Sequence, residues 1–273
     1  MRPLEELPEE EGARIDRHSR SPLAIDGLLF DLDDTFLTHG LLTRGAYDSL
    51  WDLHDAGLKL VVVTGRPSSW GRFVVKQWPV DAATTENGVI AIVRDEGKIS
   101  VVDPIERFER DRRRARFVAL VADMASKAPD LKVTDDASGR ISDVTWDIGE
   151  NERVSPERVA FARSIIADHG ARSSSSSVHL HATFDGDDKA TGTVRLLASR
   201  FGVDPGIARS RWAFAGDSGN DRACFAAFKT TFGVANVKNH VGMLSVPPRW
   251  VSKSPMGEGF SEIAAAILRC KMR

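Results

Sequence analysis

Cysteine is scarce in this chain, with two in 273 residues. Cys224 and Cys270 are too few and too far apart to build a disulfide framework, and no Cys-x-x-Cys pair offers a zinc or dithiol site. A reducing compartment follows, and the cytoplasm is the expected location. Long hydrophobic runs are missing too: the longest wholly apolar stretches hold about six residues, far short of the roughly 20 that span a bilayer. Residues 1–22 lack the apolar segment of a signal peptide, so no membrane partner is expected. An excess of either charge is also lacking. Thirty-seven Lys and Arg against 39 Asp and Glu leave −2, which speaks against a nucleic-acid binder and against an acidic solvating chain. What remains, 42% hydrophobic and 28% charged residues, describes an ordinary globular protein long enough for one large or two modest domains.

Residues 1–22 show no sustained periodicity and read as a mobile leader. From Ile25 an apolar run ends abruptly in Asp31-Leu32-Asp33-Asp34-Thr35, the pattern of a buried strand emptying into an acidic loop. Thr43 then caps a helix that Gly57 closes, and a second buried strand, Leu60 to Val63, runs into Thr64-Gly65-Arg66. A strand, a helix and a strand with no tight hairpin predict a parallel pair joined by a crossover. The unit recurs near the other end: a helix from Ala190 to Arg200, a strand Trp212 to Ala215, the loop Gly216 to Asp221, a helix with Phe225 and Phe228, and a strand Thr231 to Val234. Both ends therefore read as α/β with a parallel sheet.

The middle reads differently. Val89 to Val93 and Ile99 to Val102 flank Asp95-Glu96-Gly97, a hairpin signal. A charged helix over Ile105 to Ala125, strands near Leu131 to Val133 and Asp143 to Ile148, and a helix opened by Ser155-Pro156 follow. The last strand alternates, with Val178, Leu180, Ala182 and Phe184 on one face and Ser177, His179, His181 and Thr183 on the other. Hairpins mixed with helices predict an α+β module inserted into the α/β domain, with the catalytic core at 23–87 and 187–273 and the insert at 88–186.

Ligands of parallel α/β sheets bind beyond the carboxyl ends of the strands. Asp31-x-Asp33-x-Thr35, Thr64-Gly65-Arg66 and Asp217-x-x-Asn220-Asp221 all fall there, with Lys189 opening the helix after the insert. Crowded carboxylates repel one another, so a hard divalent cation with oxygen ligands, magnesium, is expected beside Lys189. A cation, a lysine and the Thr64 hydroxyl around a carboxylate suit phosphoryl transfer. Asp31 is the expected nucleophile, forming an acyl phosphate, and Asp33 the group that protonates the leaving oxygen and later deprotonates water.

Asp31-Leu32-Asp33-Asp34-Thr35, Val63-Thr64-Gly65-Arg66, Lys189 and Gly216-Asp217-Ser218-Gly219-Asn220-Asp221 resemble the four ordered motifs of the haloacid dehalogenase superfamily. The insert entered through Glu86-Asn87-Gly88 resembles the α/β cap of its Cof-like branch, which is similar to sucrose-phosphate, mannosyl-phosphoglycerate and trehalose-phosphate phosphatases. The resemblance implies a Rossmann-like core with a cap domain. It implies that Asp31 and Asp217 give carboxylate oxygens, and Asp33 its backbone carbonyl, to Mg2+. Asn220 and Asp221 would then support the metal and Lys189, while Thr64 and the Gly65 amide hold the phosphoryl group. Asp34 stands where many members have Gly.

Other polar residues divide between functional and structural readings. Arg66 suits a phosphate contact or a structural ion pair, and Asn87 a substrate contact or a turn. His179 and His181 lack a third metal ligand nearby in sequence; by the resemblance, their strand face looks over the catalytic loops and would meet the leaving group. Arg110, Arg112, Arg113, Arg114 and Arg116 follow Glu106, Glu109 and Asp111 at helical spacing and read as a solvated, ion-paired helix. The expected activity is hydrolysis of a small phosphorylated metabolite, a sugar phosphate, by a monomer or weak dimer. Rivals are a phosphotransferase or mutase with the same chemistry, and a non-enzymatic phosphoacceptor module, which needs neither Asp33 nor a cap. Dehalogenation fits less well, since Asp33 and a magnesium cluster serve phosphate chemistry.

Overall fold

The computed structural model describes residues 1–7, 24–176 and 178–271. The strands are β1 (Arg2–Pro3), β2 (Gly27–Phe30), β3 (Lys59–Val63), β4 (Ala82–Thr85), β5 (Ile90–Asp95), β6 (Lys98–Val102), β7 (Asp143–Asp147), β8 (Arg172–Ser175), β9 (His179–Thr183), β10 (Trp212–Gly216), β11 (Thr230–Gly233) and β12 (Trp250–Val251). The helices are α1 (Arg44–Asp55), α2 (Ser68–Gln77), α3 (Arg107–Lys127), α4 (Pro156–Asp168), α5 (Lys189–Phe201), α6 (Pro205–Arg211), α7 (Arg222–Ala227) and α8 (Met256–Lys271). Among the described residues no helix is long and apolar enough to cross a membrane.

Nine strands form one sheet in the order β1-β12-β11-β10-β2-β3-β4-β5-β6, parallel from β1 to β4 and antiparallel at β4–β5 and β5–β6. Its central strands β2 and β10, and β3 after Lys59, are apolar because both faces are covered. One face carries Leu28, Phe30, Leu60 and Val62 against α1, α2 and α8, and the other carries Leu29, Val61, Val63 and Phe214 against α5, α6 and α7. A second sheet, β7-β9-β8, is antiparallel and has its own core, where Leu120 and Met124 of α3 and Ile165 and Ile166 of α4 pack on Trp146, Leu180 and Ala182. The predicted α/β core with an inserted α+β module is this architecture.

Two boundaries differ from the sequence reading. The β5–β6 hairpin belongs to the central sheet and not to the insert, so the cap begins after Val102. Ile90, Ile92 and Val93 are buried, and Glu86, Asn87 and Gly88, with φ of +52°, +55° and +96°, turn the chain back tightly enough to pair β5 with β4. The second difference is the leader. Leu4 and Leu7, three apart on a tight turn, are buried in the core beside α8, and Arg2 and Pro3 pair with Trp250 and Val251. The rest of that leader lies outside the described residues. Leu131 to Val133 forms only a bridge from Val133 to Trp146, whereas the serine run supplies the edge strand β8.

Both crossings between core and cap are tied by one arginine. Arg110, buried in α3, donates to Asp103 at 2.7 and 2.8 Å on the outgoing segment and to Asp185 at 2.7 Å on the returning one. The solvated-helix expectation holds for Arg112, paired with Glu109, but fails for Arg110, because the crossings place two carboxylates against it.

Candidate active site

The ends of β2, β3 and β10 and the start of α5 meet at the carboxyl edge of the central sheet. Asp31 leaves β2 with its amide bonded to the Ala215 carbonyl at 3.0 Å. The next turn is anchored by buried Leu32 and Phe36, the latter packed on Phe30, Trp78 and Phe260. Asp34 adopts φ +54° there, a left-handed conformation that glycine takes at no cost and aspartate tolerates. After β10, Asp221 folds the loop back on itself: its Oδ2 accepts the Asp217 and Ser218 amides at 2.9 and 3.1 Å. A Cβ on Gly216 would lie 2.5 Å from that oxygen, which accounts for the glycine.

Lys189 is carried in by α5. Asp188 caps the helix by accepting the Ala190 and Thr191 amides, and Gly192 lets the helix press on the β4–β5 turn, where a Cβ would meet the Gly88 oxygen at 1.8 Å. The ammonium is fully buried and donates to Asp31 Oδ1 at 2.9 Å and Asp221 Oδ1 at 2.8 Å. Asp217 sits beside them, its Oδ1 accepting the Thr35 hydroxyl at 3.1 Å and its Oδ2 the Asn236 amide at 2.9 Å.

Asp31, Asp217 and Asp221 offer oxygens within 4.8 Å of one another, the group of metal-ligand geometry found among the described residues. Burial, opposed by Lys189 and reinforced by Asp221 and Asp33, pushes Asp31 up to about 7. Burial with the charges of Asp221 and Asp31 raises Asp217 well above the carboxylate range. One lysine does not neutralise three carboxylates, and a hard divalent cation with oxygen ligands fits this donor set. Asp221 is engaged by Lys189 and two amides, and Asp217 by the Thr35 hydroxyl and the Asn236 side chain. Asn220 lies farther out, accepting from the Ser218 hydroxyl at 2.8 Å and donating to Asn87 at 3.4 Å.

Arg66 binds Asp33 with Nε at 2.9 and 3.0 Å and Nη2 at 2.5 Å, and stacks on Trp70 with 4.0 Å to the ring centre. The structure thus places Arg66 on the expected acid/base residue. Thr64 is buried at the end of β3, its hydroxyl accepting the Arg66 amide at 3.1 Å.

The polar face of β9 lies over these loops. His181 is buried, with Nδ1 2.9 Å from Asp143 Oδ2 and Nε2 unpartnered, and its ring packs where a Cβ on Gly65 would come within 3.2 Å. Asp143 is gripped at 3.0 Å by Arg140, which also donates to the Gly65 carbonyl at 3.0 Å. His179 pairs with Glu150 at 2.7 Å. Asp31, Asp33, Gly65, His179 and His181 border a small cavity of about 10 Å3. No motif announced Asn236, Arg140 or Asp143, which sit on irregular segments or beneath a partner. Glu86, expected at the entry to the insert, is instead buried in the β4–β5 turn of the core, where its carboxylate accepts the amides of Ser68 from the core and of Ile141 and Ser142 from the insert.

The sequence model of haloacid dehalogenase-like hydrolases matches residues 28–110. No curated protein matches the chain in sequence. Among solved structures, a Thermoplasma acidophilum protein superposes with a TM-score of 0.69 at 18% identity, covering 90% of this chain and 99% of that one. The sucrose-phosphatase of Synechocystis, solved with sucrose and phosphate, gives 0.62 at 18% identity over 89% and 98%. The C-terminal domain of C. albicans trehalose-6-phosphate phosphatase gives 0.65 at 12% identity over 89% and 92%. The chain shares their fold, and residues 28–110 resemble haloacid dehalogenase-like hydrolases.

Proposed function

We propose that this chain is a magnesium-dependent phosphatase of a small phosphomonoester, a sugar phosphate or a close relative of one. The observation that carries the reading is the buried Lys189 bridging Asp31 and Asp221 beside Asp217, at the ends of parallel strands and beneath a cap. Bound by Asp31, Asp217 and the Asp33 backbone carbonyl, Mg2+ would offset the repulsion between carboxylate and phosphate.

The Asp31 carboxylate attacks phosphorus, the ester P–O bond breaks, and the leaving oxygen takes a proton from Asp33. Asp33 then removes a proton from water, whose oxygen attacks the aspartyl phosphate, releasing inorganic phosphate and restoring Asp31. Lys189 and the Thr64 hydroxyl face the charge that builds on the phosphoryl oxygens. Both Asp33 oxygens are engaged by Arg66, so Asp33 reaches the leaving oxygen only when that contact loosens as substrate enters. With about 10 Å3 left above Asp31, the cap must open to admit substrate and closes again to exclude water.

The test is phosphate release from a broad panel of phosphomonoesters with Mg2+. Turnover should vanish with chelator and in Asp31→Asn, and the product should be inorganic phosphate, not an isomeric ester. If no ester in the panel is hydrolysed, or Asp31→Asn leaves activity intact, the proposal is wrong.

A further inference from the structure

A cavity of about 580 Å3 opens beside the small one, running from Lys189 and Asn87 to the serine strand β8 and α7. Its charge is uneven in a way the catalytic loops do not explain. Four carboxylates border it and each is already satisfied. Glu86 accepts backbone amides, Asp143 holds Arg140 and His181, Asp187 pairs with Arg195 at 2.5 Å, and Asp188 caps α5.

Of the cations on its walls, Lys189 is paired with Asp31 and Asp221 and Arg172 donates to the Asp185 and Gly186 carbonyls, but two others are not matched in this way. Arg163 of α4, half-buried, reaches under β8 and donates only to hydroxyls, Ser173 at 3.0 Å and Ser175 at 2.8 Å. Hydroxyls fix a guanidinium without neutralising it. Arg222, on the core side, also lines the cavity, and among the described residues neither arginine makes an ion pair. They are close enough that Arg222 adds to burial in lowering the Arg163 pKa. His240, on the same wall, keeps a buried Nδ1 without a partner. Two arginines from opposite domains, on the walls of one cavity that also carry serine hydroxyls and an imidazole, make a cradle for an anion.

We infer that the cavity binds a second anionic group on the leaving portion of the substrate, so that the preferred substrate is a phosphomonoester also bearing a carboxylate or another phosphate. This rests on the phosphatase reading for the first phosphate, which sits at Asp31. Arg163 from the cap and Arg222 from the core grip the same group, so its arrival also favours the closed arrangement.

Matched pairs test it on the Mg2+-loaded enzyme: glycerol 3-phosphate against 3-phosphoglycerate for a carboxylate, and fructose 6-phosphate against fructose 1,6-bisphosphate for a phosphate. In at least one pair the more anionic member should have the higher kcat/KM, by about tenfold or more, as expected for charge-assisted contacts. That ratio should fall about tenfold in Arg163→Met and in the exposed variant Arg222→Met, and be retained in Arg163→Lys, which keeps the charge. Hydrolysis of both members alike, or a ratio unmoved by either Met variant, overturns the inference and leaves the phosphatase standing. Calorimetric titration of Asp31→Asn separates the converse. If wild type hydrolyses nothing, tighter binding of 3-phosphoglycerate than of glycerol 3-phosphate, lost in the added Arg163→Met, supports the anion site while the phosphatase reading fails. Equal binding rejects the site.

Discussion

Replacing Lys189 by Met removes the charge and keeps nearly the same length. The ammonium lies 2.9 Å from Asp31 and 2.8 Å from Asp221, with no exposure to solvent. Taking it away leaves two buried carboxylates facing each other beside a third, and breaking a buried ion pair from one side costs about 3–5 kcal/mol. At roughly 2–4 °C per kcal/mol for a chain of this size, the variant should melt about 6–20 °C below wild type near pH 8 in chelator. The pH dependence carries the sign. Asp31 stands at about 7 with Lys189 present, and the variant loses an influence that lowers it, so its folded-state pKa rises further above the ordinary 3.8. A carboxyl raised on folding binds its proton more tightly in the folded state, so its penalty is full above the folded pKa and shrinks as pH falls toward the unfolded value. The gap between variant and wild type should therefore narrow from about pH 8 to about pH 5. Thermal unfolding across that range measures it, and adding Asp221→Asn to the variant should recover part of the loss. Equal melting temperatures at pH 8, or a gap that widens on acidification, would refute the electrostatic account.

Glu86→Gln should cost about 2–3 kcal/mol in urea unfolding, because the new amide nitrogen faces donors from Ser68, Ile141 and Ser142. Burial and then Asp143 push Glu86 up to about 7 from 4.5, so the difference between wild type and variant should grow as pH falls through that interval; no pH dependence would count against it. Gly192→Ala should lose more than about 3 kcal/mol, since its Cβ would lie 1.8 Å from the Gly88 oxygen. Gly186→Ala, with nothing within 4 Å, should stay within about 0.5 kcal/mol, and the same unfolding assay compares the two.

Much of the candidate site was legible because it obeys a local rule. Apolar strands buried on both faces stop where the chain leaves the sheet, and the polar residues at those stops, Asp31, Thr64 and Asp217, come together because the strands are parallel neighbours. Lys189 could be placed because the helical stretch Ala190 to Arg200 begins right after it; the structure adds that Asp188 and Thr191 cap that helix. The hairpin Ile90–Val102 was assigned to the wrong unit for the converse reason: its pattern shows a hairpin but not which sheet adopts it, and the positive φ at Glu86 and Asn87 is invisible in composition.

The sequence by itself determined the strands and helices that carry the site, β2, β3, β10, α1 and α5, the parallel core and the residues at its carboxyl edge, since these follow from periodicity, caps and the period of a strand. Only the tertiary structure decided how the charges pair. It set Arg66 on Asp33, Arg110 across both domain crossings, Glu86 under the loop at Ile141 and Ser142, and Arg163 and Arg222 on the walls of one cavity. Each of these joins segments far apart in sequence, and an ion pair depends on distance and burial in three dimensions, which no run of residues encodes.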